Sequence, residues 1–126
     1  MIEVFIERDE QQHIVSFISE GHADYSPGND IVCAGVSAVT IGTVNALDAL
    51  GVRVAANTSN GYLVAVLAKQ SEKAQILLEG MLIMLKGIQE SYGDHLIVYD
   101  MKGGVAVANK LELSSTRTDM ATEVGG

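Results

Sequence analysis

From Ile31 to Leu50 the chain carries one charged residue, Asp48, in an otherwise mostly apolar run. A stretch of that length either crosses a bilayer or lies covered inside a protein. Ser37, Thr40, Thr43, Asn45 and Asp48 interrupt it, and no Lys or Arg flanks its start. It therefore reads as a buried core helix rather than a membrane span. Asp30 before it is an N-cap residue, whose carboxylate accepts from exposed first-turn amides. Gly51 after it is a stop. Ala34, Gly35, Ala38 and Gly42 recur at helical spacing and allow close approach of another backbone. A helix this apolar needs a sheet to cover it, and the rest of the chain must supply one.

The flanking sequence does so. Ile2, Val4 and Ile6 alternate with Glu3 and Glu7, a half-buried strand. Residues Asp9–Gln12 make a polar turn, and His13–Ser19 forms a second strand, completing a hairpin. His13 beside that turn reads as a solvated strand-end histidine. Gly21–Asn29 is a loop with Ser26-Pro27-Gly28 turn chemistry. Val52–Asn57 and Tyr62–Leu67 are β-rich, and Asn60-Gly61 between them signals a hairpin. Ser71 caps a second helix that Gly93 ends. Its apolar stripe is Ala74, Leu77, Leu78, Met81, Leu82, Leu85 and Ile88, with Lys73, Glu79, Lys86 and Gln89 on the wet side. His95–Asp100 is a fifth strand.

The order ββαββαβ predicts a two-layer α+β domain over residues 1–100: a mixed or antiparallel sheet of about five strands against two helices. Residues 101–113 hold a possible further strand at Val105–Ala108. Residues 114–126, without periodicity, read as a flexible tail.

Composition narrows the function. The formal net charge of −8 lacks the Lys/Arg footprint of a nucleic-acid surface, permits attraction to a basic protein and also serves plain solubility. The N-terminal MIEVFIERDE has no basic region leading into an apolar run, so no signal peptide is expected. A single cysteine forms no internal disulfide and fits a reducing, cytoplasmic setting or a reactive thiol.

That cysteine, Cys33, falls at the third position of the capped helix, where amides lack intrahelical partners and the dipole adds positive charge. Such a field favours a thiolate, the nucleophilic form. His22 closes the preceding strand, near the same sheet edge. Ser37, at i+4, shares the face of Cys33. Asp30 has two candidate roles, capping the helix or orienting His22. By spacing alone, Cys33 reads first as a small packed hydrophobe and His22 as a strand-end residue, with a catalytic pair as the alternative. His13, His22, His95 and Cys33 lack zinc-ligand spacing, so no metal or other cofactor is expected. A redox-sensing thiol would want a resolving cysteine, which this chain lacks.

At these residues the sequence resembles the ribosomal-processing cysteine protease family of bacteria. The matching pieces are Gly21-His22-Ala23, Gly28, Asp30-Ile31-Val32-Cys33-Ala34, Val36-Ser37-Ala38 and Asn45. Gly35 replaces a more usual alanine. The likeness in element order runs from Met1 to about Asp100.

The resemblance implies an endopeptidase that removes the N-terminal extension of a large-subunit ribosomal protein, cutting after an aromatic pair. It implies Cys33 as nucleophile and His22 as general base, with Asp30 and Ser37 in support. It also implies a homodimer. Amides at the helix start would serve as oxyanion donors, and the loop holding Ala23, Asp24, Tyr25, Ser26 and Gly28 would move to admit substrate. The competing reading is a non-catalytic ribosome-assembly factor gripping a basic protein segment. No direct contact with nucleic acid or membrane is expected.

Overall fold

The computed structural model describes residues 1–26, 28 and 30–101. Its elements run β1 (Ile2–Arg8), β2 (Ile14–Gly21), α1 (Ile31–Ala49), β3 (Val54–Ser59), β4 (Tyr62–Leu67), α2 (Glu72–Tyr92) and β5 (Leu96–Met101). The expected strand at Val105–Ala108 and the tail at 114–126 lie outside the described residues.

The five strands form one mixed sheet in the order β3-β4-β2-β1-β5. The two hairpins are antiparallel and join through β2 and β4. β5 lies parallel to β1, with Ile2 opposite Leu96 and Phe5 opposite Tyr99. A parallel neighbour needs a crossover, and α2 is that crossover.

Strand alternation divides the bulk between two faces. Ile2, Val4, Ile6, Phe17, Leu63, Ala65 and Leu96 join Val32, Val36, Leu47, Leu78, Met81 and Leu85 in the main core between sheet and helices. Phe5, Ile18, Tyr62 and Val64 cluster separately, and Phe5 stacks on Tyr99 at 4.9 Å. Burying a side chain such as Val36 or Leu47 stabilises the fold by about 1.5–3 kcal/mol.

α1 is long and apolar enough to cross a membrane by length and composition. Here its stripe of Val32, Val36, Thr40, Thr43 and Leu47 is buried in the domain. The two buried threonines satisfy their hydroxyls on the helix itself: Thr40 Oγ1 donates to the Val36 carbonyl at 2.8 Å and Thr43 Oγ1 to the Val39 carbonyl at 2.6 Å. Among the small residues, Gly35 faces α2, where an added Cβ would lie 3.7 Å from Ile88 Cδ1. Ala34, Ala38 and Gly42 are exposed.

Several boundaries differ from expectation for identifiable reasons. β2 continues past Ser19 because β1 and β4 both still pair with it there. β3 begins at Val54, since Val52 N–H donates to the Leu47 carbonyl and closes the end of α1. The turn after β3 shortens to Asn60-Gly61.

On α2, two residues assigned to the wet side are engaged. Glu79 receives Arg8 through both oxygens at 2.7 and 3.0 Å, and Gln89 Oε1 accepts from Val98 N–H at 2.6 Å. Lys73 and Lys86 are exposed, as expected, and Ile76, Ile83 and Met84 are exposed as well. Arg8 also donates to both oxygens of Asp100 and to the Gln12 carbonyl, tying β1, α2, β5 and the first hairpin turn together.

Candidate active site

The site lies where β2, the start of α1 and the β3–β4 hairpin converge. Asp30 caps α1: its Oδ1 accepts from Val32 N–H and Cys33 N–H, each at 3.0 Å, while its carbonyl accepts from Ala34 N–H. Its Oδ2 accepts from Tyr25 N–H at 3.0 Å, folding the loop back onto the cap. Hydrogen bonding holds the Asp30 carboxyl below its usual range, chiefly from the Cys33 amide, with Tyr25, the Cys33 thiol and Val32 contributing and desolvation opposing. The hydrogen bonds of the Asp30 carboxylate thus run to the cap and the loop. The helix-start amides expected to serve an oxyanion are in part taken: those of Val32, Cys33 and Ala34 already donate to Asp30.

Cys33 is half-buried and free, and its Sγ accepts a hydrogen bond from Ala23 N–H at 3.2 Å. His22, exposed, follows the last residue of β2. Gly21 holds φ +100°, and a Cβ there would meet the Met1 carbonyl oxygen at 2.3 Å, so only glycine ends the strand this way. Gly21 N–H donates to the Gly61 carbonyl at 2.8 Å. That bond lays the His22 imidazole over Gly61, whose hypothetical Cβ would lie 2.6 Å from His22 Nε2.

His22 and Cys33 line two adjoining cavities. One, of about 250 Å³, is walled by Ser37, Thr40 and Ile41 of α1 and by Thr58–Leu63 of the hairpin. The other, of about 500 Å³, is bounded by Asp24, Ser26, Gly28 and Asp30. The imidazole and the sulfur therefore share a cleft open on both sides. Ser37 belongs to the first side and Asp30 to the second.

The loop is anchored at Ala23 and Tyr25. Ala23 is 1% exposed, and its carbonyl lies 2.9 Å from His95 Nδ1. The Tyr25 ring packs edge-on against Tyr92 and His95 at centroid distances of 5.5 and 5.2 Å. Asp24 adopts φ +55°, the turn between these anchors. Pro27 and Asn29 lie outside the described residues. Among the described residues, no group of three or more His, Cys, Asp and Glu gathers to hold a metal ion.

Sequence reasoning did not assign Gly61, Thr40, Ile41 or His95 to the site. Asn60-Gly61 carried a hairpin signal only, and His95 gave no sign of facing the loop.

A half-buried thiol on a capped first turn, sharing a solvent-open cleft with an imidazole, has the constituents of a cysteine hydrolase. Comparison with known proteins resolves the class. The family model described as cysteine protease Prp matches residues 1–97. The ribosomal processing cysteine protease Prp of Bacillus subtilis is 36% identical over 107 residues, covering 78% of this chain and 96% of that one. Its Staphylococcus aureus namesake is 34% identical over 101 residues, covering 76% and 95%.

Two S. aureus crystal structures superpose over 80% of this chain and all of theirs. The essential ribosomal processing protease Prp with a covalently linked product peptide gives a TM-score of 0.77 at 34% identity. The same protease with a substrate peptide gives 0.73 at 33%. The protein is a cysteine protease. It belongs to the Prp family of ribosomal processing cysteine proteases.

Proposed function

We propose that this chain removes the N-terminal extension of a bacterial large-subunit ribosomal protein, with Cys33 as nucleophile and His22 as general base. The observation that carries the assignment is the shared cleft: both residues line the same two cavities, and Cys33 Sγ faces the loop amide of Ala23. The covalently linked product peptide in the S. aureus relative supports a covalent route.

His22 takes the thiol proton and the sulfur attacks the scissile carbonyl. The C–N bond breaks as His22 returns that proton to the leaving amine, leaving a thioester on Cys33. His22 then takes a proton from water, whose oxygen attacks the thioester. The peptide acid departs and the thiol is restored. Asp30 keeps the first turn and the loop in register, and Ser37 stands on the cleft wall one turn beyond Cys33. The loop bearing Ala23, Asp24, Tyr25, Ser26 and Gly28 borders the wider side, where the substrate chain would enter.

A non-catalytic assembly factor needs neither a nucleophile nor a base in a common cleft, so that reading is not favoured. We also assign a homodimer, supported by the exposed Ile76, Ile83 and Met84 on α2 and Ile31 and Ile41 on α1. A cytoplasmic setting suits the free Cys33 and a ribosomal substrate.

A peptide bearing the extension and an aromatic pair before the cut should be cleaved at that pair. Cys33→Ala should abolish cleavage while leaving the circular dichroism spectrum intact; equal cutting by that variant ends the assignment. Sedimentation equilibrium tests the dimer, and a monomer at tens of micromolar would remove it. The −8 charge should steer a basic substrate, so added salt should slow association; a salt-independent rate removes steering.

A further inference from the structure

Ala23 links the two members of the cleft. It directly follows His22, and its N–H donates to Cys33 Sγ at 3.2 Å. Its carbonyl, on the other side of the same residue, is 2.9 Å from His95 Nδ1. A carbonyl only accepts, so that ring nitrogen carries the proton and the tautomer is set.

His95 is itself firmly placed. Its N–H donates to the Tyr92 carbonyl at 2.9 Å, and its carbonyl accepts from Ile2 N–H at 2.9 Å. Tyr25 packs edge-on against the ring. His95 lines neither cavity that holds Cys33, so the reaction as written makes no use of it.

We propose that His95 is a positioning residue for the nucleophile: its Nδ1–H, by holding the Ala23 carbonyl, keeps the Ala23 N–H aimed at the Cys33 sulfur. The inference rests on the reading of Cys33 as nucleophile. A donor aimed at sulfur favours thiolate over thiol, because the ionised form accepts the stronger hydrogen bond. Rotating Ala23 away weakens that preference and also shifts the backbone from which His22 projects. The other titratable groups lining the cleft with Cys33 are His22, Asp24, Asp30 and Tyr62; of these the Asp30 carboxyl hydrogen-bonds the thiol itself, and the Ala23 amide approaches the sulfur independently of it.

The test compares iodoacetamide alkylation of Cys33 across pH in the wild-type chain, His95→Asn and His95→Gln. An asparagine amide can place an N–H where Nδ1–H stands; a glutamine places its amide one bond further out. His95→Asn should keep the wild-type profile. His95→Gln should alkylate roughly three- to tenfold more slowly at neutral pH, with its midpoint about 0.5–1 pH unit higher, the effect of one weakened charge-assisted hydrogen bond. Amide hydrogen exchange at Ala23 should accelerate in the glutamine variant alone.

Superimposable profiles for the two variants, with a fast wild-type thiol, overturn the role of His95 and leave the dyad standing. A wild-type thiol no more reactive than free cysteine removes the dyad and this inference together. Should His95→Gln fail to fold, slower alkylation by a folded His95→Asn would still overturn it.

Discussion

Adding one methyl group at Gly61 separates backbone strain from catalytic geometry. Gly61 adopts φ +69°, and an added Cβ would lie 2.6 Å from His22 Nε2, 3.0 Å from Cε1 and 3.2 Å from Cδ2. Ordinary contact begins at 3.4 Å, so the imidazole must retreat by roughly 0.8 Å. His22 is exposed and free to swing, so the clash itself costs little stability. The left-handed backbone costs an alanine about 1–2 kcal/mol, lowering Tm by roughly 3–6 °C per kcal/mol in a domain this size. A displacement near 1 Å of a catalytic group costs on the order of 10²-fold in rate.

Gly51 is the control: φ +82° with nothing within 4 Å of its hypothetical Cβ. Gly51→Ala and Gly61→Ala should therefore melt at similar temperatures, while only Gly61→Ala loses peptide cleavage, by about a hundredfold in kcat/KM. Matching kcat/KM in the two folded variants would refute the argument, because the same strain would then have no separate effect at His22.

Asp30→Ala removes the cap on Val32 and Cys33 and the tether on Tyr25, and should destabilise the chain by about 1–2 kcal/mol in a urea titration. Asp30→Asn keeps a carbonyl acceptor and should recover most of that loss. Arg8→Met releases Glu79 and Asp100; since both carboxylates regain water in part, the loss should be about 1–2 kcal/mol, with Cys33 alkylation unchanged. Hydrogen bonds from Arg8 hold the Glu79 carboxyl below its usual range. The unfolded chain therefore binds that proton more readily. The stabilisation is complete above the unfolded value of about 4.3 and is lost as pH falls through the lower folded value. Acid unfolding of Arg8→Met should accordingly show a shallower slope than wild type, and parallel curves would contradict the Glu79 coupling.

Where chemistry is local, it could be read from the residues in order. The Asp30 cap, the start of α1 at Ile31, the strand Tyr62–Leu67 and the hairpin turns all follow from side chains within a few positions. The Gly21-His22-Ala23 and Asp30–Ala34 segments carry the family likeness in the sequence itself. The engagement of Glu79 and Gln89 could not be read this way. Helical periodicity reports which face a residue occupies, but not that Arg8 from β1 and Val98 from β5 reach that face. The partial use of the expected oxyanion donors was hidden for a similar reason: counting helix-start amides does not show which of them the cap already holds.

The order of residues alone determined two hairpins, two capped helices and a thiol on the first turn of the first helix, because alternation, capping and turn chemistry act over short separations. Only the folded sheet decided that His22 lies against Gly61 and that His95 reaches Ala23. Those meetings depend on the register of β2 against β4 and of β5 against β1, set by the burial of side chains distant in the chain.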